Sequence, residues 1–201
     1  MLGRAVPAFD TGGMDWDRRL LEALAAHRTV WATSLARGLM DAGQPASTYV
    51  AAAVLALVFA WVFRAWWVVA AAMLASIVAT LIAEYGKEFI GRSRPPAYLA
   101  LVPTDGYAMP SSIAALTAGA ATPLVVYGLR SARRAPRVIA ALLAAGTLMV
   151  GASMVYLGAH WLSDVLAGWL LGVALGLGAY RLAEVAAARA RKARVDGVRK
   201  T

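Results

Sequence analysis

Apolar residues in this sequence fall into five long blocks. Each block comes close to the roughly 20 apolar residues that a membrane-spanning helix needs. The blocks occupy residues 47–63, 65–84, 111–129, 138–157 and 161–183. The pattern predicts an all-α, polytopic membrane bundle of five transmembrane helices within a domain at residues 46–184.

The segment 15–45, before these blocks, mixes apolar and charged residues. Leu20 and Leu24 stand among Asp17, Arg19 and Glu22. Charged side chains are costly inside the hydrocarbon core, so we expect an amphipathic helix lying in the membrane interface. A sixth, irregular span is the alternative. Residues 1–14 lack the apolar core of a secretory signal and are expected to form a flexible lead.

A tight turn is predicted between the first two blocks. Only Arg64 separates them, and Trp61, Trp66 and Trp67 flank it. Because indole rings favour the headgroup level, these two helices should form a hairpin that turns at the interface.

The amino-acid composition limits the kinds of active site and metal site that the chain can form. Of the 201 residues, 61% are apolar and 15% charged, whereas soluble proteins are about 45–50% apolar. The absence of cysteine excludes disulfides, thiolate metal sites and a cysteine nucleophile, and two histidines, His27 and His160, are too few for a histidine-rich metal cage. We therefore expect no metal and no other cofactor.

Basic residues predict the orientation. The net charge is +9, but in a chain this apolar, basic loops indicate contact with membrane lipids and no nucleic acid. The third and fourth blocks are joined by a connection rich in arginine, and the tail at 185–201 is basic. The positive-inside tendency places both in the cytoplasm of a multi-pass plasma-membrane protein. The 85–110 connection and the 158–160 turn then lie on the extracytoplasmic side, together with an N-terminal segment whose arginines do not fit this rule.

Candidate chemistry is concentrated in those two connections. Lys87 and Arg94 are seven residues apart, so they share one face if the second helix continues to Pro95; a headgroup anchor is the alternative. Ser111 and Ser112, after Pro110, are placed to cap a helix whose N-terminus suits a phosphate.

The third group of candidates surrounds the turn before the last block. His160 and Asp164 are four residues apart on one helical face, and Ser153 precedes them. The carboxylate can fix the imidazole tautomer and sharpen its other nitrogen as a base or nucleophile. The alternative is a structural pair, in which the two side chains only satisfy each other's hydrogen-bonding groups. Cations, a helix N-terminus and an oriented imidazole on one membrane face suit phosphoryl transfer.

These motifs resemble the type 2 phosphatidic acid phosphatase superfamily, the metal-independent lipid phosphatases related to vanadium haloperoxidases. Its pattern is Lys, six residues, Arg-Pro; then Pro-Ser-Gly-His; then Ser-Arg, five residues, His, three residues, Asp. The first part is complete here, from Lys87 to Pro95. The second departs at Ser112 and Ile113, and the third departs only at Met154, where the family has Arg.

The resemblance implies roles for these residues. His160 would be the nucleophile, supported by Asp164, and the phosphate would be bound by Lys87, Arg94, Ser111, Ser112 and Ser153. Ile113 cannot donate a proton to a leaving group, and Met154 removes a charged clamp. His27 or a serine hydroxyl is a possible substitute for the acid, and Arg92 for the clamp.

Two functions follow from this resemblance. The first is a lipid phosphate or polyprenyl diphosphate phosphatase that acts through a phosphohistidine, with an impaired general acid. The alternative is a catalytically degenerate relative that binds lipid phosphates or serves as a partner subunit. Glycines at 168, 172, 176 and 178 allow close packing within the bundle or in a homo-oligomer.

Overall fold

The computed structural model describes residues 12–41 and 46–198. The described residues form helices and no strand, which confirms the all-α prediction. The helices are α1 (Asp15–Ala26), α2 (Val30–Asp41), α3 (Ala46–Phe63), α4 (Trp66–Ile90), α5 (Ser112–Arg130), α6 (Arg134–Tyr156) and α7 (Leu162–Val198). The lead predicted at residues 1–14 falls, up to residue 11, outside the described residues.

Four helices of the described chain are long and apolar enough to cross a bilayer. They are α4, α5, α6 and the Leu162–Ala193 part of α7. The first predicted block corresponds to α3, whose apolar part, Val50–Phe63, is shorter than any of these four helices. The predicted hairpin is confirmed, because α3 and α4 are joined only by Arg64 and Ala65. Trp61 and Trp66 are exposed at this turn, as an interfacial position would require.

The centre of the bundle is α5, which packs against α4, α6 and α7. Its contact with α7 depends on small residues. A Cβ atom added at Gly168 would clash with the carbonyl oxygen of Ser111, and one at Gly172 would clash with that of Ala115. Gly178 has open space instead. The backbones of α5 and α7 therefore touch, which holds the start of α7 beside the start of α5.

The N-terminal segment is folded differently from the prediction. Instead of one helix over 15–45, it forms two helices of 12 residues each, separated at residues 27–29. Each is shorter than the roughly 20 residues that a bilayer span needs, and neither is among the helices of the described chain that could cross a membrane; the alternative of a sixth, irregular span stays a prediction. α2 packs beside α6, and α1 covers the loops through Leu21, which is buried with Leu99, Ala108 and Trp161. An interfacial location for this segment stays a prediction.

Two arginines of this segment have structural partners. Arg28 donates to the carbonyl oxygens of Leu99 and Tyr156, at 2.7 and 2.8 Å, and Arg37 donates to that of Leu101 at 3.1 Å. Tyr156 is the last residue of α6, where a cation complements the helix dipole. These contacts explain why basic residues stand at this end of the bundle.

The ends of α4 and α7 also differ from the prediction. α4 stops at Ile90 because Gly91 adopts a left-handed conformation, with φ 66°, and its N–H donates to the Lys87 carbonyl. The helix therefore ends before Pro95. α7 continues to Val198, so most of the predicted basic tail at 185–201 is helical.

Candidate active site

The start of α5 is joined directly to the first turn of α7. Ser111 caps α5 by accepting a hydrogen bond from the Ala114 N–H at 3.4 Å, and its own N–H donates to the Asp164 carbonyl at 3.0 Å. Ser111 is completely buried. The second and third sequence motifs therefore meet, as predicted.

His160 and Asp164 face each other at the turn between α6 and α7. The Nδ1 atom of His160 lies 3.5 Å from Oδ2 of Asp164 and has no hydrogen-bond partner among the described residues. The same Oδ2 accepts the Trp161 N–H at 2.9 Å. Long hydrogen bonds are common in catalytic sites without substrate, and such contacts shorten when charge develops. The carboxylate is thus fixed in position behind the ring.

Arg94 lies on the other side of the imidazole. Its Nη1 atom is 3.2 Å from His160 Nε2 and donates to the Ala159 carbonyl at 2.9 Å, while Nε donates to the Asp105 carbonyl at 3.0 Å. A guanidinium only donates, so Nε2 accepts and the proton is assigned to Nδ1, facing Asp164.

The route by which Arg94 reaches the site differs from the prediction. The expectation that Lys87 and Arg94 share one helical face is wrong, because α4 ends at Ile90. Arg94 belongs to the loop after α4 and is held there by main-chain carbonyls.

Lys87 remains within α4 and points to the start of α5. Its Nζ atom lies 2.9 Å from Oγ of Ser112 and 2.9 Å from Oε1 of Glu84. The Lys87 side chain is only 12% exposed. Sequence reasoning missed Glu84, although its position one turn before Lys87 was a signal for an ion pair. This carboxylate competes with any phosphate for the ammonium group.

The surroundings of His160 lower the pKa of its imidazole below the ordinary value. Burial is the largest cause, since a charged ring loses its solvation. The positive charges of Arg94 and Lys87 act in the same direction, while the nearby Asp164 carboxylate opposes them. The ring is therefore neutral near pH 7, and both predicted cations are close enough to influence it.

The side chains of Ser153 and Met154 make no hydrogen bond to the imidazole among the described residues. The Ser153 hydroxyl is buried and donates to the Val150 carbonyl at 2.7 Å, so its phosphate contact stays a prediction. Met154 is buried among apolar side chains, with its sulfur 3.9 Å from Ser111 Oγ. Ile113, at the family's second-motif histidine position, is 40% exposed. Apolar side chains thus replace the family's histidine, at Ile113, and its arginine, at Met154.

Arg92, the predicted substitute clamp, is fully engaged elsewhere. Its Nη1 atom donates to Asp164 Oδ1 at 2.7 Å and to Ser163 Oγ at 2.6 Å, and Nη2 donates to Asp17 Oδ2 at 2.8 Å. Binding a phosphate would require Arg92 to leave two buried carboxylates, which is costly. Sequence reasoning missed Asp17, which lies 146 residues from its contact Ser163.

His27, the predicted substitute acid, lies at the end of α1. Its Nδ1 atom is 2.9 Å from the Ala23 carbonyl of its own helix, in an exposed position. Among the described residues, no hydrogen bond or ion pair joins it to His160. Its role as an acid stays a prediction.

A cavity lies beside Arg94, and its lining includes neither His160 nor Lys87. Its volume is about 590 Å³, and it is bounded by Arg94 and the following loop, including Pro95, Leu101, Thr104 and Asp105. Within the described ranges, no group of three or more His, Asp or Glu side chains is arranged to hold a metal ion.

Two solved structures share this architecture. The crystal structure of the first transmembrane PAP2-type phosphatidylglycerolphosphate phosphatase from Bacillus subtilis has a TM-score of 0.67 and 25% identity, over 84% of this chain and 85% of that one. The crystal structure of Aquifex aeolicus LpxE has a TM-score of 0.67 and 23% identity, over 84% of this chain and 96% of that one. At that identity, LpxE supports the fold alone.

The sequence itself also identifies the family. Among curated proteins, none matches this sequence significantly. The PAP2 superfamily pattern, however, matches residues 64–187, which include α4 to α6 and most of α7 with all three motifs. This chain therefore belongs to the PAP2 superfamily.

Proposed function

We propose that this protein is a membrane phosphatase of lipid phosphates or polyprenyl diphosphates that works through a phosphohistidine at His160. The observation that carries the proposal is the placement of His160 between Arg94, at Nε2, and Asp164, at Nδ1. Family membership and the likeness to a phosphatidylglycerolphosphate phosphatase support a phosphorylated lipid as substrate.

The first step is attack on phosphorus. Nη2 of Arg94 has no hydrogen-bond partner among the described residues, so it is free to hold a phosphate oxygen together with Lys87 and the start of α5. The hydrogen bond from Arg94 Nη1 to His160 Nε2 breaks as the phosphate enters. The lone pair of Nε2 then forms the N–P bond while the P–O bond to the leaving group breaks. Asp164 stabilises the positive charge that develops on the ring.

The second step releases the phosphate. Water attacks phosphorus, the N–P bond breaks, and its electron pair returns to the imidazole. Orthophosphate leaves with one proton of the water, and the other proton passes to solvent. His160 is again neutral and ready for the next substrate.

The need for a good leaving group favours a diphosphate as the substrate. Ile113 supplies no proton, and loss of general acid catalysis costs about 10²–10⁴-fold for a poor leaving group. When His160 takes the terminal phosphate of a polyprenyl diphosphate, the polyprenyl monophosphate leaves, and it is a better leaving group than an alkoxide. The arginines at 130, 133, 134 and 137, at the opposite end of α5 and α6, support an extracytoplasmic pocket in the plasma membrane.

The test is orthophosphate release from a polyprenyl diphosphate by the purified protein in detergent with a metal chelator. We expect release by the wild type and none by His160→Ala. Hydrolysis that survives this substitution would contradict the mechanism. The variant His27→Ala tests whether His27 is the substitute acid. A loss of hydrolysis in this variant would assign that role to His27, and full hydrolysis would exclude it.

A second candidate is a degenerate relative that binds a lipid phosphate or acts as a partner subunit. It is favoured by Ile113 and Met154, and by the Glu84 carboxylate on Lys87. If the wild type is inert, the restoring changes Ser112→Gly, Ile113→His and Met154→Arg should create activity. If the restored variant is also inert, the loss of the family residues at 112, 113 and 154 does not by itself explain why the wild type lacks activity.

A further inference from the structure

The helix α1 sends one carboxylate into the interior of the bundle. Asp17 is 1% exposed, and Oδ1 accepts the Ser163 N–H at 3.0 Å. Its Oδ2 accepts hydrogen bonds from Arg92, at 2.8 Å, and from the Ser163 hydroxyl. An acidic residue is rarely buried so completely without a partner, and here both carboxylate oxygens are bonded.

Arg92 links this carboxylate to the candidate active site. Its two terminal nitrogens each bind a different buried carboxylate, Nη2 that of Asp17 and Nη1 that of Asp164. One positive charge is thus shared by two negative ones. Without Asp17, the charge of Arg92 would act on Asp164 alone and would offset the negative charge that Asp164 directs at His160.

Apolar contacts hold α1 in this position. Leu21 is buried against Trp161, and a Cβ atom at Gly13 would lie 2.6 Å from the Trp161 ring. The N–H of Trp161 donates to the Asp164 oxygen that faces His160. The N-terminal segment therefore contacts the site through both an ion pair and an aromatic ring.

We infer that Asp17 is a positioning residue for the reaction, acting through Arg92 on Asp164, and that α1 is thereby a component of the active site. This inference rests on the proposed function. Asp17 does not contact the imidazole, so its effect reaches His160 through the charge and position of Asp164. The charged groups that influence His160 directly are Arg94 from the loop, Lys87 from α4 and Asp164 from α7.

The first experiment replaces Asp17 by Asn, which keeps the shape and removes the charge. We expect kcat to fall by about 10- to 100-fold with KM unchanged, because a displaced catalytic group slows chemistry without weakening substrate binding. Asp15→Asn removes the same charge from an exposed position of the same helix and should leave kcat at the wild-type value. Wild-type kcat in Asp17→Asn would overturn the inference.

A double-variant cycle separates an effect through Arg92 from a general loosening of α1. In an Arg92→Gln background, Asp17→Asn should reduce kcat no further. An equal reduction in both backgrounds would contradict the inference. If Asp17→Asn does not fold, Asp17→Glu takes its place; it keeps the charge but shifts the carboxylate, and wild-type kcat there would also overturn the proposal.

A third measurement does not depend on hydrolysis. The chain has two histidines, so ring NMR signals of His160 can be followed with His27 as an internal reference. Removing the negative charge of Asp17 should lower the pH at which His160 titrates. An unchanged His160 titration would refute the role of Asp17. Absence of hydrolysis in the wild type as well as the variant would instead refute the proposed function.

Discussion

Arg94 Nη1 lies 3.2 Å from His160 Nε2, and main-chain carbonyls on both sides hold the guanidinium there. The cation is therefore in place before a substrate arrives. Such preorganisation matters because a group already aimed at developing charge needs no rearrangement during the reaction. The same contact selects the tautomer in which Nε2 carries the lone pair.

Arg94→Lys should therefore be a severe change, although it keeps the charge. An ammonium group cannot replace the fork that binds two carbonyls and the imidazole at once. We expect kcat/KM for a polyprenyl diphosphate to fall by about 10²-fold.

Arg37→Lys is the matched control for this substitution. Arg37 is exposed at the same end of the bundle and donates to the Leu101 carbonyl. Its replacement should leave kcat/KM unchanged. Equal activity in the two variants would mean that the guanidinium of Arg94 contributes nothing specific.

Glu84→Gln should strengthen the binding of inorganic phosphate. The substitution removes the carboxylate that lies 2.9 Å from Lys87 Nζ. Because the Glu84 side chain is 54% exposed, solvent screens this pair, which is worth up to about 1 kcal/mol; phosphate affinity should therefore rise by up to about fivefold.

The control for Glu84 lies at the opposite end of the bundle. Glu184→Gln breaks the pair with Arg130, also 2.9 Å long, and should not change phosphate affinity. Calorimetric titration with orthophosphate measures both variants. Unchanged or weaker binding in Glu84→Gln would show that Lys87 does not hold the anion.

The activity should persist into mildly acidic solution. Burial and the nearby cations lower the pKa of His160 below its usual value of 6.5, so the neutral, nucleophilic ring survives below that pH. The acidic limb of the kcat/KM profile should have its midpoint below pH 6.5, once the substrate's own titration is measured separately. A midpoint at or above pH 6.5 would show that the ring is not buried as described.

Gly172→Ala should destabilise the bundle, whereas Gly178→Ala should not. The added methyl group at Gly172 would clash with the Ala115 carbonyl, while nothing lies within 4 Å at Gly178. Overpacking a tight contact costs about 1–3 kcal/mol. Thermal unfolding in detergent should show a lower Tm for the first variant, and equal Tm values would contradict the close contact of α5 and α7.

The sequence predicted the elements of this fold better than their ends. Long apolar blocks mark a membrane helix whatever it packs against, so each block corresponds to a helix, although α7 extends well beyond the block that ended at residue 183. The end of α4 was misplaced because Pro95 suggested a stop, whereas Gly91 ends the helix earlier. The glycines of α7 predicted close packing, but only the structure separates Gly172, which faces α5, from Gly178.

The sequence predicted those parts of the candidate site whose residues lie close together in the chain. His160 and Asp164 are one helical turn apart, and the resemblance supplied the order of the motifs. The partners of Arg92 were not predictable, because Asp17 reaches it from a helix distant in the chain. Amphipathic periodicity placed Asp17 on a polar face and could not indicate that this face is buried against the site.

The most direct test of the central claim is to trap and locate the phosphorylated residue. The protein is incubated with a polyprenyl diphosphate labelled on the terminal phosphate, quenched in alkali and digested for mass spectrometry. The label should be on His160, persist in His27→Ala and vanish in His160→Ala. Hydrolysis accompanied by a label on another residue, or by the same label in His160→Ala, would contradict the account.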